Sequence, residues 1–222
     1  MWRDAVLMAG KDLRIEARSR VAINQVAPFA VVVLVLFGFA LEPDRGVLAQ
    51  AAPGLFWVAV LFAGLLAVQR SFAVESADAA RDGLRLSALD PAGIFLGKAA
   101  AVALELMGLE ALLTAGVVVL YGTDLRGAAL LLATAATATV GLAACGTVYG
   151  VLVAGLRVRE TLLPLLLLPV VAPVLLGATR ACEAALGQSL DDGWRWVTLL
   201  GVFAVLYVTL GILAFGSLLE EA

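Results

Sequence analysis

Histidine is absent from the 222 residues, and cysteine occurs only twice, at Cys145 and Cys182. The first absence excludes a histidine-bearing metal or haem site, and the second a scaffold built on disulfides. Charge is scarce as well. Asp, Glu, Lys and Arg make up 15% of the chain, against roughly a quarter in soluble globular proteins. So few polar residues cannot clothe a water-soluble domain of this size. What is present is apolar: 63% of residues are hydrophobic and the mean hydropathy is +1.03. The net charge of −3 says less than where the charges fall. Residues 1–20 carry charges throughout, without the apolar core of a signal peptide, and are expected to stay on the chain.

Hydropathy divides the chain into alternating segments. A helix needs about 20 apolar residues to cross the hydrocarbon of a bilayer. Runs almost free of charge lie at 21–41, 53–69, 99–121, 128–156, 162–179 and 197–219. The sequence therefore predicts an all-α membrane protein of six transmembrane helices in one domain spanning 1–222. No run alternates with the period of two that a barrel strand requires. The fifth run carries Pro164, Pro169 and Pro173. Because unpaired backbone groups are costly in lipid, a kinked helix shielded by its neighbours is expected there.

The basic residues orient the spans. Eleven lie in 1–20, in the connection 70–98 and at Arg157 and Arg159; four lie opposite, at Arg45, Arg126, Arg180 and Arg195. Positive charge favours the cytoplasm, so both termini are expected inside. Trp194 and Trp196 then suit an aromatic anchor at the outer start of the sixth span.

Two stretches outside the spans are informative. In 1–20, Trp2, Val6, Ala9, Leu13 and Ala17 recur at helical spacing, while Asp4, Lys11, Arg14 and Arg18 gather on another side. An amphipathic, basic helix lying on the membrane fits that pattern; a plain basic leader is the alternative. The connection 70–98 is long enough to hold its own helix. Residues 74–86 are helix-compatible, with Glu75 and Asp78 early and Arg81 and Arg85 late, the order the helix dipole favours. Asp90-Pro91 ends that pattern, and Gly97-Lys98 mark the return to the membrane. Such a helix is either a solvated connector or a docking element for a partner.

Within the spans, Glu105 and Glu110 form a possible intramembrane polar site, since ionisable groups there usually face the bundle interior. Five residues apart, they point about 140° from each other and cannot form one paired acid site. Lining a path and making a structural hydrogen bond are both open readings. Function is favoured for Glu105, because no basic residue falls within any run to neutralise it. Ala133, Thr137, Gly141 and Cys145 recur every fourth residue, and Gly146 and Gly150 form a GxxxG; small residues let helices approach closely in lipid. The different depths of Cys145 and Cys182 predict two small packing residues rather than a disulfide.

The stretch Arg70-Ser71-Phe72-Ala73-Val74-Glu75, followed by Gly83-Leu84-Arg85-Leu86 and Ile94-Phe95-Leu96-Gly97-Lys98, resembles the coupling-helix loop of the CcmB family. These are the haem exporter B permeases of bacterial cytochrome c maturation. The segment from Lys11 to Arg20 resembles the family's N-terminal interfacial helix, that from Pro53 to Ala59 its second span, and that from Arg159 to Pro169 the entry to its fifth. Ala77, Ala79 and Ala80 depart from it, standing where the family carries a more charged run.

The resemblance implies an ABC-2 exporter-type permease of the bacterial inner membrane. Two copies would pair, and two copies of a separate ATPase, CcmA, would grip the cytoplasmic loops through Phe72, Glu75, Asp82, Gly83, Leu84 and Leu86. ATP and magnesium would sit on that ATPase, since no G-x-x-x-x-G-K-[ST] motif occurs here; no cofactor is expected on this chain. It further implies association with CcmC, which handles haem, with the small subunit CcmD, and with the haem chaperone CcmE, loaded on the complex and released from it. No catalytic residue, metal ligand or nucleic-acid partner is expected. Haem iron is usually held by His, Cys, Met or Tyr, and the lack of histidine favours a mechanical role in chaperone release. Direct export of haem or another small molecule, and a non-transporting scaffold, are the alternatives. A membrane enzyme would need clustered histidines or acids at a membrane face. A secondary transporter would show matching broken helices in its two halves.

Topology is directly testable. Reporter fusions after Ala222 and within 76–82 should read cytoplasmic, and fusions near Asp44, Asp124 and Asp191 external. An external C-terminus would mean an odd number of spans.

Overall fold

The computed structural model describes residues 1–19, 27–40, 45–77, 89–121, 127–156, 158–190 and 192–221. Among these the regular structure is helical, with no strand. The helices are α1 (Trp2–Ser19), α2 (Ala27–Ala40), α3 (Arg45–Ala77), α4 (Pro91–Tyr121), α5 (Ala128–Val153), α6 (Arg159–Ala185) and α7 (Gly193–Glu221). Five contain a stretch long and apolar enough to cross a membrane: Gln50–Ala73, Pro91–Val119, Ala128–Val153, Arg159–Ala185 and Gly193–Glu220. The expected first span, 21–41, falls on α2, which has 14 described residues, short of the roughly 20 a crossing needs. Residues 20–26 and 41–44 flank it and lie outside the described residues.

Helices run further than hydropathy implied. The connection expected over 70–98 narrows to 78–90, because α3 continues through Ala77 and α4 starts at Pro91. Asp90 starts α4: its Oδ1 accepts the Ala92 N–H at 3.0 Å and its carbonyl the Ile94 N–H at 3.0 Å. Proline in the first helical position loses no bond there, since its N–H would be unpaired anyway. Of the helix expected over 74–86, residues 74–77 belong to α3; 78–88 lie outside the described residues. At the other end, α6 runs unbroken through Pro164, Pro169 and Pro173.

The bundle is organised around α5, which packs against α3, α4, α6 and α7. Its small residues are what admit the neighbours. A Cβ at Gly141 would lie 3.0 Å from the Phe203 ring of α7, and one at Gly146 would lie 2.7 Å from Val68 of α3. Gly150 leaves room for the Phe72 ring in the same way. α1 lies along the first turns of α4 with the same economy of space. A Cβ at Gly97 would come within 2.5 Å of Met8 Cβ and 2.6 Å of the Ala5 carbonyl; one at Gly93 would come within 2.8 Å of Asp4 Cβ. Gly93 and Gly97 therefore make a small-xxx-small face onto which α1 settles. Ala5 and Met8 are buried there, while Trp2, Val6 and Leu7 point away from the protein.

Gly97→Ala should destabilise the purified protein by about 1–3 kcal/mol, because the new methyl overpacks the α1 contact. Gly108→Ala, with nothing within 4 Å of its Cβ position, should be neutral or stabilise by up to about 1 kcal/mol through helix propensity. Thermal unfolding in detergent reads both; equal shifts would show that the α1 contact is not close-packed.

Candidate functional site

Two polar constellations stand out in an otherwise apolar molecule. The first lies where α1 meets the end of α3 and the start of α4. Lys98 of α4 is only 1% exposed. Its ammonium donates to Ser71 Oγ at 3.1 Å and to the Ser71 carbonyl at 3.4 Å, and pairs with Asp12 Oδ2 at 3.4 Å. It also lies 4.8 Å over the Phe72 ring, a cation–π contact strengthened by the lack of surrounding water. Ser71 Oγ lies 3.4 Å from Asp12 Oδ2, and Arg70 Nε lies 3.3 Å from Glu16 Oε2. At the tip of α1, Asp4 Oδ2 accepts the Asp90 N–H at 3.3 Å, and the Met1 ammonium lies 3.1 Å from Asp4 and 3.4 Å from Asp90. The bond to Asp4 holds that ammonium above its ordinary pKa; the same ammonium, then the Asp90 N–H, hold the Asp4 carboxyl below its own.

Lys98 thus belongs inside the helical body. The sequence reading counted it among loop charges; it is buried because α4 begins seven residues earlier, at Pro91, placing Lys98 two turns into the helix. The reading of Glu105 changes too. Glu105 is half-buried and lines a cavity of about 30 Å³ with Asp12, Glu16, Arg70 and Ser71, space enough to admit water. A basic residue does therefore share its surroundings, because Arg70 is part of α3 rather than of a loop.

The second constellation is at the far end of the bundle. Glu110 is 4% exposed, and its Oε1 accepts a hydrogen bond from the Thr139 hydroxyl of α5. Thr134, Thr137 and Thr147 on the same helix return their hydroxyls to carbonyls four residues back, at 2.7–2.8 Å. Thr139 instead turns to a side chain. Glu110 also lines a cavity of roughly 530 Å³ between α3, α4, α5 and α6. Beside it, Trp57 Nε1 donates to Cys182 Sγ at 3.3 Å, satisfying the buried indole. Cys145 and Cys182 are both buried and not bonded to each other.

Of the residues expected to couple to an ATPase, Phe72 is buried between Lys98 and Gly150. Glu75 lies in the last turns of α3, and Asp82, Gly83, Leu84 and Leu86 lie outside the described residues. Asp12, Ser71 and Lys98 were not singled out from sequence as a cluster. The available signal was an aspartate on an amphipathic helix and a lysine two turns after a helix-starting Asp-Pro. Glu105 and Glu110 do diverge: one faces α1, the other α5.

Apolar helices packed around a small-residue hub, with an amphipathic helix clamped along one end, define a polytopic membrane protein. Comparison makes this specific: the chain belongs to the CcmB protein family, whose profile matches residues 3–221. It is 31% identical over 211 residues to heme exporter protein B of Haemophilus influenzae, covering 95% of this chain and 94% of that protein. It is 31% identical over 210 residues to the protein of that name from Paracoccus denitrificans, covering 93% of each. With the Pseudomonas aeruginosa protein it shares 30% identity over 210 residues and 94% of each chain.

Removing one side of the α1 pair should show how much it holds. Asp12→Ala takes a carboxylate away from the buried Lys98 ammonium and should cost about 3 kcal/mol. Asp12→Leu combined with Lys98→Met should recover most of that loss, since an apolar pair of similar size needs no desolvation. A double-mutant cycle on thermal unfolding measures the coupling; strict additivity would mean the two groups act separately.

Proposed function

We propose that this chain is the permease subunit of an ABC machine for cytochrome c maturation, and that it converts ATP hydrolysis on a separate ATPase subunit into release of a haem-loaded chaperone. The observation that carries this reading is the polar junction at Lys98. Segment 78–90 is the piece of chain between α3 and α4, and the junction ties both of those helices to α1 through Ser71, Lys98 and Asp12. A push on that segment would be received by three helices at once, instead of being absorbed by a hinge. Phe72 contributes from inside, as the wedge between the junction and Gly150 of α5, so its link to the ATPase is indirect. Glu75 and Asp82 are the groups assigned to the ATPase surface.

The family relation and the relatives' names, which specify a haem exporter, support placement in this system. On this reading the partners are the ATPase CcmA, a second copy of this chain, CcmC, CcmD and the chaperone CcmE, in the bacterial inner membrane with both termini cytoplasmic. ATP and magnesium would sit on the ATPase and haem would be handled by the complex, with this chain positioning rather than ligating it. Direct passage of haem is the second reading, favoured by the relatives' names. Against it, the large cavity offers a carboxylate, and haem's own propionates would meet like charge there.

Glu75→Ala with Asp82→Ala should weaken ATPase association or uncouple hydrolysis while insertion stays normal. Asp12→Leu with Lys98→Met should leave the ATPase bound and covalent haem still loading onto the chaperone, but lower its release and the yield of mature cytochrome c. Normal ATPase binding and normal cytochrome yield in the first variant would remove the docking role. Loss of loading instead of release in the second would replace the mechanical reading with direct export.

A further inference from the structure

Among the described side chains that line the 530 Å³ cavity, the Glu110 carboxylate is the one whose polar capacity is left over. Thr114 also lines that space, but its hydroxyl is committed to the Glu110 carbonyl at 2.7 Å. Cys182 is engaged by Trp57. Glu110 Oε1 receives the Thr139 hydroxyl, whereas Oε2 has no hydrogen-bond partner among the described residues. A carboxylate has about four acceptor sites, and a buried one left short of donors is costly unless something else supplies them. Among the described residues, no lysine or arginine lines the cavity. The rest of the wall is apolar and includes Phe56, Trp57, Met107 and Leu131. Its size falls in the range of small-molecule sites, roughly 300–1,000 Å³.

We propose that this cavity binds an apolar molecule carrying a single cationic, hydrogen-bond-donating head group, with Glu110 receiving the head and the wall around Trp57 receiving the body. An alkyl ammonium is the simplest such ligand. Its N–H groups fill the acceptor sites that Thr139 leaves open, and its charge is matched by the carboxylate among apolar walls. The same chemistry sets what is refused. A fatty acid or a porphyrin dicarboxylate would bring a second negative charge to Glu110. A phospholipid with an ammonium head would also bring a phosphate, for which the wall has no basic partner. Thr139 aims the carboxylate by holding one oxygen against α5, so the other faces the space between the helices. The site is separate from the Lys98 junction, which lies at the other end of the bundle, and does not depend on the coupling role of that junction.

The test uses the full chain purified in detergent and saturation binding of tritiated dodecylamine, with dodecanol, dodecanoate and lyso-phosphatidylethanolamine as competitors. Saturable binding is expected, with dodecanol competing about tenfold more weakly than unlabelled amine, as expected for one charge-assisted hydrogen bond. Dodecanoate and the lysophospholipid should not compete. Glu110→Gln should lower amine affinity by about tenfold and erase the preference for amine over alcohol. Ala135→Phe, which fills the cavity from α5 while leaving Glu110 in place, should abolish binding of both. Amine binding that survives either variant unchanged, or dodecanoate competing as well as the amine, overturns the assignment. Should the glutamine variant fail to remain monodisperse, the phenylalanine variant decides alone by the same criterion.

Discussion

A lysine ammonium that has lost its water must be given other partners, and in this protein those partners come from two helices other than its own. Lys98 takes a carboxylate from α1, and from α3 a hydroxyl, a carbonyl and the face of a phenyl ring. Taking such an ion out of water costs several kcal/mol, which only good geometry and several hydrogen bonds offset. The arrangement is therefore sensitive to position: shifting any one helix by an ångström or two would weaken these contacts while the charge stays buried. The closeness of the backbones at Gly93 and Gly97, the extension of α3 past Arg70 and the start of α4 at Asp90-Pro91 all serve to bring these groups to one place. Apolar packing around α5 holds the body of the bundle, whereas the ionic junction fixes the angle at which α1 joins it.

The two ends of the bundle solve the problem of buried charge differently. Near α1, several carboxylates are interleaved with basic groups, and the small space beside Glu105 admits water, so charge is balanced locally. At the far end a lone carboxylate is held by one hydroxyl against an apolar cavity. The first arrangement suits a mechanical joint, in which every group is already matched. The second suits recognition, in which one group waits for a match from outside. α4 carries both, with Lys98 and Glu110 twelve residues apart, so any rotation of this helix at its α1 end also turns Glu110 relative to α5.

Much of the fold could be read before any coordinates. Apolar runs as long as a bilayer is thick leave few alternatives to helix, and the small residues of α5 announced a close-packed surface. Helix ends were harder, because hydropathy marks where charge begins and not where the backbone stops being helical. That is why 70–77 and 91–98 were placed in the connection between spans and proved to be the end of α3 and the start of α4. The site was legible in part. Glu105 and Glu110 stood out because carboxylates are rare in apolar runs. The Lys98 cluster did not, since Asp12, Ser71 and Lys98 are ordinary in their own segments and become unusual only when three helices converge. Likewise, Trp2 and Val6 do form an apolar stripe, but Ala5 and Met8, small or flexible enough to sit on glycines, make the stripe that faces the protein.

The long sequence separation across that junction has a consequence for biogenesis. Asp12 and Lys98 are 86 residues apart, as are Asp4 and its partner Asp90. At ribosomal speeds of about 5–20 residues per second, α1 spends on the order of ten seconds outside the translation tunnel before its docking surface on α4 exists. Through that interval its exposed Trp2, Val6 and Leu7 must rest on the lipid surface or on a chaperone, and Asp12 is without its permanent counter-ion. Insertion of α4 then becomes the event that recruits α1, which is synthesised earlier and takes its final place only afterwards.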